Sequence, residues 1–309
     1  MTRRSKTTAA AGSGGPVADP LADLLRPGQS IALLQELHIL TGEGKLNQDS
    51  RRKLKQVMHL YRFIETLLLE LLADGDVAHS GRVLTVADHG AGKSYLGFIL
   101  YDLFFRARGG GWIYGIETRA ELVERSRVLA SKLGFARMSF LNLTVSESTS
   151  ASDLPAQIDL VTALHACDTA TDDAIRFGLE KSARAMVLVP CCQAELARWL
   201  NVDKALSLRR TPLAELWRHP LHTREMGSQL TNVLRCLYLE AWGYHVTVTE
   251  LVGWEHSLKN ELIIARHTGQ MRRSAAQRLQ ELLAQFGLQN LLQERFRLPP
   301  DLQSRNVAD

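Results

Sequence analysis

The run Val83-Leu84-Thr85-Val86-Ala87-Asp88-His89-Gly90-Ala91-Gly92-Lys93-Ser94-Tyr95-Leu96 decides how the rest of this 309-residue chain is read. It opens on apolar and β-branched residues that suit a buried strand, continues into a turn with glycines two apart, and runs on as a helical stretch ending near Phe105. A strand, a glycine turn and a helix in that order begin a βαβ unit, whose turn lies at the carboxyl edge of a parallel sheet. Outward from it the same alternation repeats. The β-rich runs are Arg82 to Ala87, Gly111 to Ile116, Met138 to Leu143, Ile158 to Leu164 and Ala185 to Val189, with helical stretches between them. After a longer helical, Arg- and His-rich segment from Ala194 to Trp242 come Tyr244 to Val252 and Glu261 to Arg266. The loop Gly253 to Asn260 between these two is too short for a crossover helix, so they are expected to be antiparallel neighbours. An α/β fold follows, with a mostly parallel sheet ending in one antiparallel hairpin.

The flanks read differently. Residues 1–20 show no apolar periodicity and read as a disordered basic tail. Residues 21–78 read as an N-terminal helical region, in which Leu54, Val57, Met58, Tyr61, Ile64, Leu68 and Leu71 fall at spacings of three and four and form one buried stripe. Residues 79–268 hold the sheet, and residues 269–309 read as a C-terminal helical tail with Leu279, Leu282, Leu283 and Phe286 on one side. Hydrophobic residues make up 45% and charged residues 23%, which excludes collagen-like and wholly disordered chains. No long uncharged apolar run is present, so no transmembrane helix is expected. Four cysteines, Cys167, Cys191, Cys192 and Cys236, and no apolar signal core point to a reducing, cytoplasmic setting. A net charge of +4 admits a nucleic-acid partner without requiring one.

Three ligand classes use a strand, glycine turn and helix. Gly92-Lys93-Ser94 resembles the end of a P-loop, but the glycine needed five residues earlier is Ala87, inside the strand. A nicotinamide or flavin site would use Gly90 and Gly92, yet the third glycine position is the bulky Tyr95, and Asp88 would repel a pyrophosphate. S-adenosylmethionine carries a positively charged methionine end and no phosphate, so a carboxylate such as Asp88 beside the turn is favourable. The next strand ends Tyr114-Gly115-Ile116-Glu117, where a second carboxylate can accept both ribose hydroxyl protons. Two acids at successive strand ends, each with its own task, favour the third class.

The same run, together with His165-Ala166-Cys167-Asp168-Thr169-Ala170-Thr171-Asp172 and Val189-Pro190-Cys191-Cys192-Gln193, resembles the methyltransferase-domain family that includes the glutathione S-transferase C-terminal-domain-containing protein. The likeness spans roughly Lys53 to His267, with His89 and Ala91 at variable places of the motif. It implies a Rossmann-like S-adenosylmethionine-dependent methyltransferase with a seven-stranded sheet whose last strand is antiparallel. By that resemblance Asp88, Gly90 and Gly92 hold the methionine end, Glu117 the ribose, and Asn142 or its neighbours the adenine edge.

In such a sheet the loops after the fourth and fifth strands approach the transferred methyl. Here they contain His165, Cys167 and Asp168, then Cys191 and Cys192. Neither holds the Asn/Asp-Pro-Pro-aromatic arrangement that positions a base's exocyclic amine. His165 and Asp168 are candidates for orienting the acceptor or taking its proton. Cys191 and Cys192, just before a helix expected over Ala194 to Leu200, are candidate nucleophiles of the kind used on cytosine C6, since a helix N-terminus lowers a thiol pKa. Small thiols lining a tight pocket are the alternative, and His165, Cys167, Cys191 and Cys192 lack the spacing that marks a zinc site. Basic residues on two segments, Arg51, Arg52 and Lys55 on one and Arg209, Arg210 and Arg218 on the other, suit phosphate contact, and Trp199 and Trp217 suit base stacking. The leading expectation is methylation of RNA; the alternatives are a protein or small-molecule acceptor, or a non-catalytic cofactor-binding scaffold.

Overall fold

The computed structural model describes residues 25–73, 81–164, 168–190, 195–201, 212–251 and 261–303. Seven strands form one sheet: β1 (Thr85–His89), β2 (Trp112–Glu117), β3 (Met138–Asn142), β4 (Leu160–Leu164), β5 (Ala185–Val189), β6 (Tyr244–Glu250) and β7 (Glu261–His267). Their order is β3-β2-β1-β4-β5-β7-β6. The first five are parallel, β7 runs antiparallel to β5, and β6 pairs with β7 as the expected hairpin partner. The chain reverses strand order between β1 and β4, so the carboxyl ends of these two strands flank the crevice where ligands of doubly wound sheets bind.

Both faces of the sheet are covered, which is why β1, β4 and β5 are buried along their length with no alternation of apolar and polar faces. One face is covered by α1 (Ile31–Glu36), α2 (Gln48–Ala73), α3 (Tyr95–Leu100, continuing through a π-helical stretch Tyr101–Phe105 and Arg106–Arg108) and α4 (Ala120–Lys132). Leu54, Met58, Tyr61, Ile64 and Leu68 of the α2 stripe pack there with Val86, Phe98 and Ile113, so the N-terminal helices share a core with the sheet. The Ser30 amide that opens α1 donates to Asp102 Oδ2 at 2.8 Å, tying α1 to the π-helical turn. After β3 comes the short α5 (Val145–Ser150), started by a capping box of Thr144 and Glu147. The other face carries α6 (Ala170–Glu180), α7 (Glu195–Asn201), α8 (Pro220–Ala241) and α9 (Arg273–Gln285) of the C-terminal tail, with Phe177, Leu234, Leu239, Leu279 and Leu283 in its core.

Two expectations shift. The first strand starts at Thr85 and runs on to His89, two residues past the apolar run, because Asp88 and His89 are themselves buried and Asp88 pairs with Thr162 of β4. Trp217, expected to offer a stacking face, is 6% exposed and packs on Phe286 at 5.9 Å between ring centres. No helix among the described residues is long and apolar enough to cross a membrane.

Candidate functional site

Between β1 and α3 the backbone makes a tight turn with φ of +67° at Gly90, +57° at Gly92 and +50° at Ser94. Gly90 is exposed, and a Cβ built there would meet nothing within 4 Å, so the turn presents open backbone toward the crevice. Glycine is needed at these two places for the left-handed backbone. The Ala91 amide donates to the Ile116 carbonyl at 3.0 Å, which holds the turn against the end of β2.

Asp88 lies beneath this turn rather than on its surface. It is 2% exposed, and its oxygens accept from Thr162 Oγ1 at 2.8 Å and Ser94 Oγ at 3.5 Å. Burial raises its pKa to about 6, against the opposing effect of these two hydroxyls. Next to it on the opposite side of the strand, His89 is 5% exposed, packs on Phe177, and has no hydrogen-bond partner on either ring nitrogen among the described residues. Desolvation lowers its pKa to about 4, so the ring is neutral at pH 7.

At the end of β2, Glu117 gathers the neighbouring donors. Its Oε2 accepts from the Gly92 amide at 2.8 Å and Arg119 Nη2 at 3.2 Å, and its Oε1 from Arg119 Nε at 3.0 Å and the Arg119 amide at 3.1 Å. Burial alone would raise its pKa, but the Arg119 side chain and these two amides outweigh it and hold the carboxyl below its usual range. Asn142, at the end of β3, donates through Nδ2 to the carbonyls of Glu117 and Thr118 at 3.0 and 2.8 Å. It therefore fixes the β2 exit. The turn glycines, Glu117 and Asn142 thus lie together along three adjacent strand ends, with Asp88 under the turn.

His165, Cys167, Cys191 and Cys192 lie outside the described residues, as do Arg209, Arg210 and the loop 252–260. Asp168 is described. Its φ is +51°; Oδ1 accepts from the Glu195 amide at 3.3 Å, and Oδ2 from Arg198 Nη2 at 3.4 Å. Its carbonyl accepts from Arg235 Nη2 at 2.8 Å. Arg235 is wholly buried and also grips Asp172, with Nε to Oδ1 at 2.6 Å and Nη2 to Oδ2 at 3.0 Å. Arg295, from the C-terminal tail, reaches Asp172 at 3.4 Å and also pairs with Glu195. A ring of ion pairs and hydrogen bonds therefore joins the β4 exit, the start of α7, the middle of α8 and the tail. Sequence reasoning missed Arg235, although a lone cation in the apolar run Val233-Leu234-Arg235-Cys236-Leu237 signals a buried charge in need of a partner. Among the described residues no group of three or more His, Cys, Asp or Glu is placed to hold a metal ion.

The basic candidates fall on two sides. Arg52 and Lys55 are exposed and Arg51 half-buried in the first turns of α2, while Arg218 pairs with Glu215 at 3.1 Å.

A family described as a methyltransferase domain matches residues 52–199, from the start of α2 to α7. The fold and this match define the class: an S-adenosylmethionine-dependent methyltransferase with a Rossmann-like sheet. No curated protein matches the sequence. Similar solved structures include the Methanococcus jannaschii fibrillarin pre-rRNA processing protein, with 10% identity over 61% of this chain and 68% of that one at a TM-score of 0.40. Magnesium protoporphyrin IX methyltransferase from Synechocystis PCC 6803, solved with bound S-adenosylhomocysteine, is 14% identical over 76% of this chain and 94% of that one at a TM-score of 0.39. The DszA carbon methyltransferase is 17% identical over 81% and 61% at 0.44. Likeness at this level identifies neither substrate nor partner.

Proposed function

We propose that this chain transfers the methyl of S-adenosylmethionine to RNA, in a cytoplasmic setting, and that it stands close to the family that includes the glutathione S-transferase C-terminal-domain-containing protein. For the cofactor, the observation that carries the reading is the open glycine turn set between the two acidic strand ends. Gly90 and Gly92 let the methionine end approach the backbone. Asp88, buried under the turn, attracts the ammonium as a negative charge without touching it through an exposed oxygen. Glu117 accepts from the ribose hydroxyls, and Asn142 keeps that carboxylate's strand end in place at the adenine edge. Bound S-adenosylmethionine supplies an electrophilic methyl on a sulfonium. The chain's own part is to orient the acceptor and remove its proton, which we assign to Asp168 and His165, with Cys191 and Cys192 as the thiols of the second loop.

For RNA, the supporting observation is the placement of α2. The Leu71 carbonyl at its C-terminal end accepts from Arg184 Nη1 at 3.4 Å, just before β5 begins, so this end of α2 lies at the amino ends of the parallel strands. At its other end the Ser50 hydroxyl donates to the His38 carbonyl at 3.4 Å, and His38 lines one cavity with Lys93 and Tyr95 of the glycine turn, so the turn of α2 that carries Arg51, Arg52 and Lys55 starts beside that cavity. Calorimetric titration with S-adenosylhomocysteine, beside NADH and ATP, tests the cofactor: selective binding lost in Glu117→Ala is expected, and absent binding refutes it. Filter binding of total cell RNA at two salt concentrations tests the partner; affinity that does not fall with salt, or is unaltered by Arg52→Ala with Lys55→Ala, refutes it.

A further inference from the structure

Resting on the reading of Glu117 as the ribose carboxylate, a second feature of the same strand end bears on how tightly the cofactor is held. The Arg119 guanidinium covers the two oxygens that reading assigns to the ribose hydroxyls. Nε lies 3.0 Å from Oε1 and Nη2 3.2 Å from Oε2, a two-pronged contact that presents two donors just as a vicinal diol does. The guanidinium also lies against the glycine turn, with Nη2 3.8 Å from where a Cβ on Gly92 would stand. The pair is asymmetric: the Glu117 side chain is 8% exposed and that of Arg119 60% exposed. The carboxylate is thus fixed in the floor of the crevice, held by the Gly92 and Arg119 amides, while the guanidinium rests on top and can swing outward. The negative charge of Glu121, in the first turn of α4, adds to the stabilisation of this guanidinium as a cation, after the larger effect of Glu117 itself.

We propose that Arg119 sets the cofactor affinity of this chain by competing, from within the chain, with the ribose hydroxyls for the Glu117 carboxylate. A ligand lacking two suitably spaced donors cannot displace it, so the contact also selects for an intact ribose diol. Removing the guanidinium removes the competitor while the two backbone amides still orient Glu117. Because the guanidinium stands in solvent while the carboxylate is buried, salt weakens the ion pair in part, whereas the diol's neutral hydrogen bonds are little affected.

The test is calorimetric titration of the full chain and its Arg119→Ala and Arg119→Lys variants with S-adenosylhomocysteine, at about 50 mM and about 500 mM salt. The expected result is binding about fivefold tighter in Arg119→Ala at low salt, with Arg119→Lys between the two because it keeps the charge but loses the fork. The unmodified chain should bind more tightly at high salt, and Arg119→Ala should show no such gain. Arg119→Ala binding no tighter than the unmodified chain, in a chain that does bind, overturns this proposal and leaves the cofactor reading standing. No binding by any of the three overturns both.

Discussion

Asp88 and His89 are adjacent, buried and pushed in opposite senses, which makes a pH-dependent stability measurement unusually diagnostic. Asp88 has its pKa raised from 3.8 to about 6, and His89 has its lowered from 6.5 to about 4, both chiefly by burial. Between pH 4 and 6 native Asp88 holds more proton than its unfolded form. Its contribution to stability is therefore full below pH 4 and is lost as pH rises through about 6. Native His89 holds less proton than unfolded His89 between pH 4 and 6.5, so its contribution is present above that window and is lost as pH falls through about 4. Each shift of roughly two pKa units corresponds to about 3 kcal/mol, and over the shared window the two nearly cancel. Single substitutions uncover them. In Asp88→Asn, which keeps an acceptor for Thr162, stability should fall on acidification from pH 6.5 to 4 by about 3 kcal/mol more than in the unmodified chain. In His89→Leu it should rise by a similar amount relative to the unmodified chain, and at pH 7 the variant should be no less stable, since two unpaired buried nitrogens are gone. Urea unfolding followed by tryptophan fluorescence across that range reads both differences directly. Asp88→Asn and unmodified curves that stay parallel from pH 4 to 7 would refute the reasoning, because the buried carboxylate would then not be the group that titrates.

Three further outcomes follow from the same geometry. S-adenosylhomocysteine binding should weaken by about tenfold between pH 7 and 5, as Asp88 protonates and stops attracting the ammonium; calorimetry should show that dependence vanish in Asp88→Asn. Arg235→Met should lower unfolding stability by about 3–5 kcal/mol in urea melts, because Asp172 loses its bidentate partner inside the core. Gly227→Ala should cost about 1–3 kcal/mol by thermal unfolding, since its Cβ would stand 2.6 Å from the Ala197 backbone nitrogen and force α7 away from α8.

Which of these features the sequence revealed follows from where each residue finds its partner. The strands were legible because each contains a local apolar or β-branched run, and the hairpin of β6 and β7 because a short loop leaves no room for a crossover. Glu117 was legible as a strand-end acid; the family resemblance points to Asn142 for the adenine edge, and its hold on the Glu117 and Thr118 carbonyls was not legible. The full extent of β1 was not, since two polar residues continue the strand only because Thr162, 74 residues away, receives Asp88. Nor did the pattern tell a stacking tryptophan from a buried one: Trp217 has Phe286 as its partner, contributed by the tail.

Arg119 shows the same limit from the other side. Residues two apart at the end of a strand share a face, so its contact with Glu117 is available from spacing alone. What spacing could not supply is that the carboxylate is sunk and the guanidinium exposed, and that inequality makes one a fixed floor and the other a movable cover. Arg235 and Arg295 go a step further, since their shared partner Asp172 is contributed by another element and nothing local marks the pairing. The acids that we assign to the cofactor are therefore readable from the sheet's own pattern. The cations that tune Glu117 and hold Asp168 take their roles from depth and from elements packed around the sheet. Substitution of Glu117 should abolish cofactor binding outright, whereas Asp88→Asn and substitutions at the cations should change affinity and stability by degrees.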